Sequence, residues 1–387
     1  MKKIDMIICN GQVFDSVQAK FEKKDIGIHQ GRFVALDEDT EADSKVDAEG
    51  NFVVPGLIDE HAHLNLHGTI IGANADTMCI PNGITTACDG GTCGASNFEQ
   101  FYMSNIVRYE PAVYSYLNVS TFGNKSLCKH EEDHDPEDFR EDLIDRLFEK
   151  YPEVLRGLKV RMCKGTLGNH GMSPLYAGLE MSKRLQEKGF HCPVAIHYDD
   201  LPDNVSVHEL FGAMRKGDVI AHVFQTKAET IFDENGKIKD SVWEAKKRGV
   251  YMDDCHGRVH WSYPNLRNAF SQGFYPDIIS SDLVRVSEYT RPGFSLLYAM
   301  SVNSAAGMPV EKILQSVTYT PAKALGIEEK AGQIRNGAPA DVAILDIRDV
   351  QDKTFTDNYG NNISGNKLFV PLMTVRAGRT AYRQIFF

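Results

Sequence analysis

No stretch of the 387 residues is apolar for long enough to cross a bilayer. Nor does a basic start followed by an apolar run mark a secretory signal, because Met1-Lys2-Lys3 leads straight into a short strand pattern. Positive charge is in deficit: 42 Lys and Arg against 53 Asp and Glu leave a formal net charge of −11. That balance repels phosphate backbones and anionic membrane surfaces, so neither nucleic acid nor a membrane is expected as a partner. A small anionic substrate stays open, since the local field of a metal site can oppose the global charge. A glycine-rich phosphate fingerprint after the first central strand is missing too, which argues against a doubly wound nucleotide-binding sheet. The eight cysteines are scattered, with Cys9, Cys88, Cys163 and Cys192 inside apolar strand-like runs, and Cys88 and Cys93 match no zinc spacing. They read as reduced thiols rather than a disulfide framework, and a cytoplasmic enzyme is expected. Low-complexity sequence is absent, although His130 to Asp138 is a polar, acidic loop.

What is present is an ordinary globular composition, 42% hydrophobic and 25% charged, in a chain long enough for one large domain with a satellite. Both ends carry short β-type runs split by turn signals: Asp5 to Cys9, Asn10-Gly11, Gln12 to Phe14, Asp25 to Ile28, Gln30-Gly31, Arg32 to Ala35, then Ala340 to Asp346 and Pro371 to Val375. Asn10-Gly11 between apolar runs predicts a hairpin. The expected organisation is a small β-sandwich domain from residues 1–54 and 330–387. Between them, at 55–329, strand and helix patterns alternate, with strands predicted over 57–61, 84–89, 112–119, 155–163, 193–198, 218–224, 250–254 and 277–282. Ser173-Pro174 predicts a helix start as N-cap and first residue, with Gly189 closing that helix, and Thr320-Pro321 predicts another start. Repeats of this number and length fit a (β/α)8 TIM-like barrel in the α/β class.

In such a barrel, catalytic groups come from the C-terminal ends of several strands. Here those ends carry His61-Ala62-His63 on the first strand, Lys159 on the fourth, His197 on the fifth, His222 on the sixth and Asp282 on the eighth. Period-2 alternation puts His61 and His63 on one face, and Lys159 on a face with Gly157 and Arg161. Taken singly, a strand-end histidine is most often a hydrogen-bonded rim residue, and Asp282 would serve as a helix cap. Lys159 is harder to place without chemistry, since lysine is rarely buried unless paired or neutralised. The joint pattern points to two divalent metal ions, Zn2+ first among them. His61, His63 and Asp282 would hold one and His197 and His222 the other. Between them Lys159, its neutral amine carboxylated by CO2 to N6-carboxylysine, would offer a bridging carbamate. Each cation lowers the pKa of a water it binds and so makes a nucleophile at neutral pH.

Val53-Val54-Pro55-Gly56-Leu57-Ile58-Asp59-Glu60-His61-Ala62-His63 resembles the N-terminal signature of the amidohydrolase superfamily, and Gly332 to Val342 resembles the return into that superfamily's β-sandwich. Gly157 to Arg161, Ala221 to Phe224, Cys255-His256-Gly257 and Ser281-Asp282-Leu283 are similar to the dihydroorotase-like amidohydrolase/deacetylase branch. The resemblance covers essentially the whole chain. It implies hydrolysis of an amide or ester of a small carboxylate-bearing substrate, by deacetylation or by opening a cyclic amide. It also implies Asp282 as metal ligand and proton shuttle, and a homo-oligomer. Many members of that branch carry a histidine two residues after the strand-eight aspartate, whereas here Leu283-Val284-Arg285 follows.

Among candidate substrate contacts, His256 at the end of strand seven ranks first. Arg161 could clamp a carboxylate bidentately or pair with an internal acid, and Arg258 and Arg285 lie on βα loops. Lys164 and His170 rank lower, and Gly90 to Gly94 reads as a tight turn near the site. Two rival readings remain. A mononuclear deaminase on the same fold would want a glutamate three residues after the strand-five histidine, where this chain has Asp200, and would leave Lys159 without a role. A dihydropyrimidinase-like scaffold would have shed metal ligands that this chain retains.

Overall fold

The computed structural model describes residues 3–126 and 132–387; His130, where the acidic loop is expected to begin, lies outside them. Parallel strands at Leu57–Ala62, Ile84–Asp89, Ala112–Asn118, Leu155–Met162, Val194–Tyr198, Val219–Ala221 and Tyr251–Met252 form one seven-stranded sheet in sequential order. Helices return the chain between them, among them Glu141–Lys150, Ser173–Glu187, Val207–Ala213, Asp240–Arg248 and Tyr263–Ser271. Ile58, Cys88, Tyr116, Ala195, Val219 and Ile278 fill the barrel interior, and Leu158, Val160 and Met162, each fully buried, face the helix layer. Each such apolar side chain contributes about 1.5–3 kcal/mol by leaving water.

The curl closes into a TIM-type barrel through the segment after Pro276. Asp254 and His256 N–H groups donate to Ile278 and Ser280 carbonyls at 3.0 and 2.9 Å, and Asp282 N–H donates to His61 O at 2.7 Å. The eighth strand expected over 277–282 is therefore reduced to bridges, Asp253 with Ile278 and Ala62 with Leu283. The sixth and seventh strands also stop short of their expected ends. The cause is local: His222, Cys255 and Asp282 have φ of 66°, 39° and 45°, and a left-handed residue cannot continue a ladder. Each such non-glycine residue costs on the order of 1–3 kcal/mol.

Two helix starts are shifted as well. Ser173 is the first residue of its helix rather than its cap, because its hydroxyl is spent donating to His170 O at 2.8 Å. The helix Tyr319–Ala324 begins one residue before Thr320, with Thr318 at the cap position.

The terminal segments build two further sheets. One orders Arg32–Val34, Ile26–His29, Lys3–Cys9 and Glu41–Asp47; the other orders Arg379–Arg383, Asn362–Arg376, Val342–Thr356, Phe52–Pro55, Gln12–Asp15 and Lys20–Lys23. Ile8, Ile28, Phe33 and Val46 of the first pack with Val13, Val53, Ile344 and Met373 of the second into one core, a small sandwich. Gln30-Gly31 is a true hairpin turn, with φ of 50° and 74° joining antiparallel strands. Asn10-Gly11 is not: it carries the chain from one sheet to the other, and Gly11 lies where a Cβ would meet Val53 Cγ2 at 2.4 Å. No helix among the described residues is long and apolar enough to cross a membrane.

Phe52–Pro55 takes Val342–Leu345 on one side and Gln12–Val13 on the other, and then runs directly into the first barrel strand. Ending the chain at residue 329 should leave that strand with an open edge. The shortened protein is expected to aggregate and elute in the void volume on gel filtration, and a soluble, folded product would contradict the interlocked sandwich.

Candidate metal centre

Alternation along Leu155–Met162 turns Lys159 into the barrel, where it is only 2% exposed. Its Nζ lies 3.3 Å from His61 Nε2, and it forms no ion pair among the described residues. Burial pulls its amine below the usual lysine range, against the opposing pull of Cys255, Asp282 and Glu60. Glu60 does not supply a full negative charge, since burial pushes its carboxyl up to about 8 and the Tyr116 hydroxyl donates to it. Strict alternation would place Glu60 and His61 on opposite faces. A register shift between Asp59 and Ala62 lets both face the interior. The two glycines after the second strand are required by contact: a Cβ at Gly90 would stand 2.3 Å from the His61 ring, and one at Gly91, whose φ is 85°, would stand 2.4 Å from Lys159 Cβ.

Around this amine the structure gathers two donor groups. His61, His63 and Asp282 offer atoms mutually within 4.8 Å, with Asp282 Oδ1 at 3.8 Å from His61 Nε2 and 3.3 Å from His63 Nε2. Thr92 donates its hydroxyl proton to Asp89 Oδ2 at 2.7 Å, so its oxygen accepts from His63 Nδ1 at 2.8 Å. That fixes the tautomer with the Nε2 lone pair turned to the site. On the other side His222 Nδ1 donates to Cys255 O at 3.0 Å, which turns its Nε2 towards His197 Nδ1, also at 3.0 Å. Burial holds His61 and His197 well below the usual histidine range and brings His222 to about 3. The imidazoles are neutral, as ligation requires. Burial would raise the Asp282 carboxyl, and its contacts with His63 and the other imidazoles oppose that rise.

His222 Nε2 and His197 Nδ1 stand 3.0 Å apart, and the buried His197 Nε2 has no partner among the described residues, so an imidazole nitrogen is left over for a cation. Imidazole and carboxylate donors suit Zn2+ and its divalent neighbours. His61, His63, Lys159, His197, His222 and Asp282 thus lie together as the strand-end rule expects.

One histidine was not anticipated. His260, on the loop after the seventh strand, brings its ring to 4.4 Å from His222 and 5.1 Å from His197, centroid to centroid, and its donor atom joins theirs within 4.8 Å. No strand-end rule reaches a residue so far into a loop; a histidine close behind His256 is the only signal the sequence holds. Cys255 was also passed over, and its sulfur groups in the same way with His222 and Asp282.

The expected substrate contacts disperse. His256 is 1% exposed and stacks on Trp261 with centroids 3.7 Å apart, near Tyr298 of the helix Leu296–Ala305. The same alternation that turns Asp253 and Cys255 inward sends it to the helix side. Arg161 gives Nη1 to Glu132 at 2.5 Å, so its acid partner is internal. Arg258 and Arg285 are exposed, Lys164 lies 3.6 Å from Asp203, and His170 lies 3.7 Å from Asp135.

Residues 52–380 match the amidohydrolase family. The chain belongs to that family. This amidohydrolase, a hydrolase like its relatives, is 27% identical over 377 residues to a deacetylase of Enterococcus faecalis, covering 97% of this chain and 98% of the relative. A solved structure described as an adenine deaminase superposes with a TM-score of 0.90 at 26% identity, over 98% of this chain and 100% of that one. Another, described as a dihydroorotase, superposes with a TM-score of 0.86 at 25% identity, over 98% of each chain.

Asp89 is the anchor beneath the amidohydrolase site. Its buried carboxylate accepts from Leu64 N–H at 2.8 Å, Gly91 N–H at 3.1 Å, Thr92 N–H at 2.6 Å and the Thr92 hydroxyl. Asp89→Asn turns an NH2 group towards donors, so a loss of about 2–3 kcal/mol is expected. Urea denaturation of the metal-free protein measures it as a lowered midpoint.

Proposed function

We propose that this amidohydrolase is a two-metal hydrolase that removes an acyl group, through an amide or ester bond, from a small carboxylate-bearing substrate. The observation that carries this reading is Lys159: a buried amine in no ion pair among the described residues, 3.3 Å from a site histidine. A neutral amine adds to CO2, forming a carbamate N–C bond and releasing one proton, and the product is the anion that this position lacks. His61, His63 and Asp282 would hold one ion, His197 and His222 the other, with carboxylated Lys159 shared between them. When bound, the two cations supply Lewis acidity and ionise a water. The Asp282 carboxylate, 3.3 Å from His63 Nε2, would take the proton of that attacking water and pass it to the leaving nitrogen or oxygen. Arg258 and Arg285, exposed on the loops beyond the seventh strand and around the eighth, are arginines offered to a substrate carboxylate.

Deacetylation is placed ahead of ring opening because relatives from Enterococcus faecalis, Brucella anthropi and Agrobacterium fabrum, each 27% identical, are all described as deacetylases. The one-metal deaminase reading is disfavoured: Asp200 is 45% exposed and 3.9 Å from Lys164, and Lys159 would be left a buried, idle amine.

Metal analysis of protein prepared without chelator should find about two ions per chain, against about one for a deaminase. Lys159→Ala should lower both metal content and turnover, with partial rescue by added short carboxylic acids; full occupancy and rate in that variant would sink the bridging role. Asp282→Asn should keep most of the metal while turnover on N-acyl or O-acyl acids falls about 100-fold or more. Near-normal turnover there would make Asp282 a structural residue only, since among the described residues no helix starts at Asp282 for it to cap.

A further inference from the structure

We infer that His260 is a third protein ligand of the ion held by His197 and His222, and that Asp199 is the residue that orients it. This rests on the two-metal reading above and adds to it an imidazole from a loop rather than from a strand end.

Three observations converge. The first is geometry: one ligand atom from each of His197, His222 and His260 lies within 4.8 Å of the other two. The second is how the imidazoles are prepared. His63 has Nδ1 at Thr92 Oγ1, 2.8 Å away, and His222 has Nδ1 at Cys255 O, 3.0 Å away. His260 has Nδ1 at 3.0 Å from Asp199 Oδ2, a close approach that is not aligned as a hydrogen bond in this structure. A carboxylate beside Nδ1 attracts the ring proton to that side and favours Nε2 as the lone-pair donor, as in the outer carboxylate–histidine–metal arrangement. Asp199 is buried two residues beyond His197, so one strand end would supply both a ligand and the orienting acid. Lys227 Nζ, 3.0 Å from the same Asp199 oxygen, balances its charge.

The third is that the loop is fastened at nearly every step. Trp261 Nε1 donates to Gly257 O at 3.0 Å, and Ser262 N–H donates to Phe224 O at 3.1 Å. From the C-terminal hairpin, the Tyr359 hydroxyl donates to Val259 O at 2.7 Å, while Asp357 Oδ2 accepts from Tyr263 N–H at 3.0 Å. A loop braced on both sides of His260 holds its ring in one place, and fixed placement is what a ligand needs and a solvated rim histidine does not.

The test is metal binding by the whole protein, with Zn2+ as the probe, read by elemental analysis after dialysis and by competition with a chromophoric chelator. Wild type should bind two ions. His260→Ala should keep one at unchanged affinity and bind the other at least about 10-fold more weakly, and Asp199→Asn should weaken the same ion about 10-fold to 100-fold. His260→Gln keeps the side chain's length without an imidazole lone pair, and should behave as His260→Ala does even if alanine loosens the loop. Two ions bound as tightly in both His260 variants as in wild type would overturn the assignment while leaving the two-metal reading standing. A wild type that binds only one ion would overturn both. Full metal affinity in the His260 variants with a raised KM alone would make the residue a substrate contact, which also overturns it.

Discussion

An amine enclosed in a barrel, in no ion pair among the described residues, is the constraint on which the mouth of this amidohydrolase is arranged. Burying a charged ammonium is far costlier than burying a neutral amine, and burial outweighs the opposing pull of Cys255, Asp282 and Glu60 on Lys159. Glu60, the nearby carboxyl, is itself pushed towards protonation and bound to the Tyr116 hydroxyl. His61, beside the amine, is neutral for the same reason of burial. Gly90 and Gly91 exist in the shape they do because any side chain there would collide with His61 or with the lysine stem. A group that costs this much to enclose is retained where its chemistry is used.

The backbone yields where the chemistry is. His222, Cys255 and Asp282 all adopt left-handed conformations at the ends of consecutive barrel segments, so three strands stop early at the positions that face the site. The strain is met by neighbouring order: Cys255 O receives His222 Nδ1, and Asp282 N–H is held by His61 O. Closing the barrel and aiming the donors are thus one operation, since the segment that carries Asp282 is also the one that joins the last strand to the first.

The sandwich contributes more than stability. Its long hairpin, Val342–Thr356 with Asn362–Arg376, passes along the barrel, where Phe369 N–H meets Ser301 Oγ at 3.2 Å. The hairpin's turn then reaches the loop that carries His260 through Asp357 and Tyr359. Terminal segments that meet far from the site in sequence therefore support it in space.

The barrel strands were legible because their signal is local: apolar runs at regular spacing between helices, each ending in a residue with ligand chemistry. His61, His63, Lys159, His197, His222 and Asp282 could be found because a parallel barrel assigns all strand ends to one rim, whatever the details of packing. What failed were inferences from strict periodicity or from a dipeptide. Asn10-Gly11 changes sheets instead of turning a hairpin, because its neighbours pair with distant strands. Glu60 joins His61 inside because of a bulge; His256 failed a different expectation, that a residue at a strand end faces the site, since it stacks on Trp261 instead. Arg161 could be placed on the inward face from sequence, but its partner Glu132 could not, since the two meet only across the barrel mouth. By itself the sequence determined the barrel, the sandwich and the six strand-end donors, all properties of residue type and short-range spacing. Only the tertiary structure decided that the lysine is in no ion pair among the described residues, that His260 stands beside His197 and His222, and which arginine is already taken, because each depends on contacts between segments that no local pattern relates.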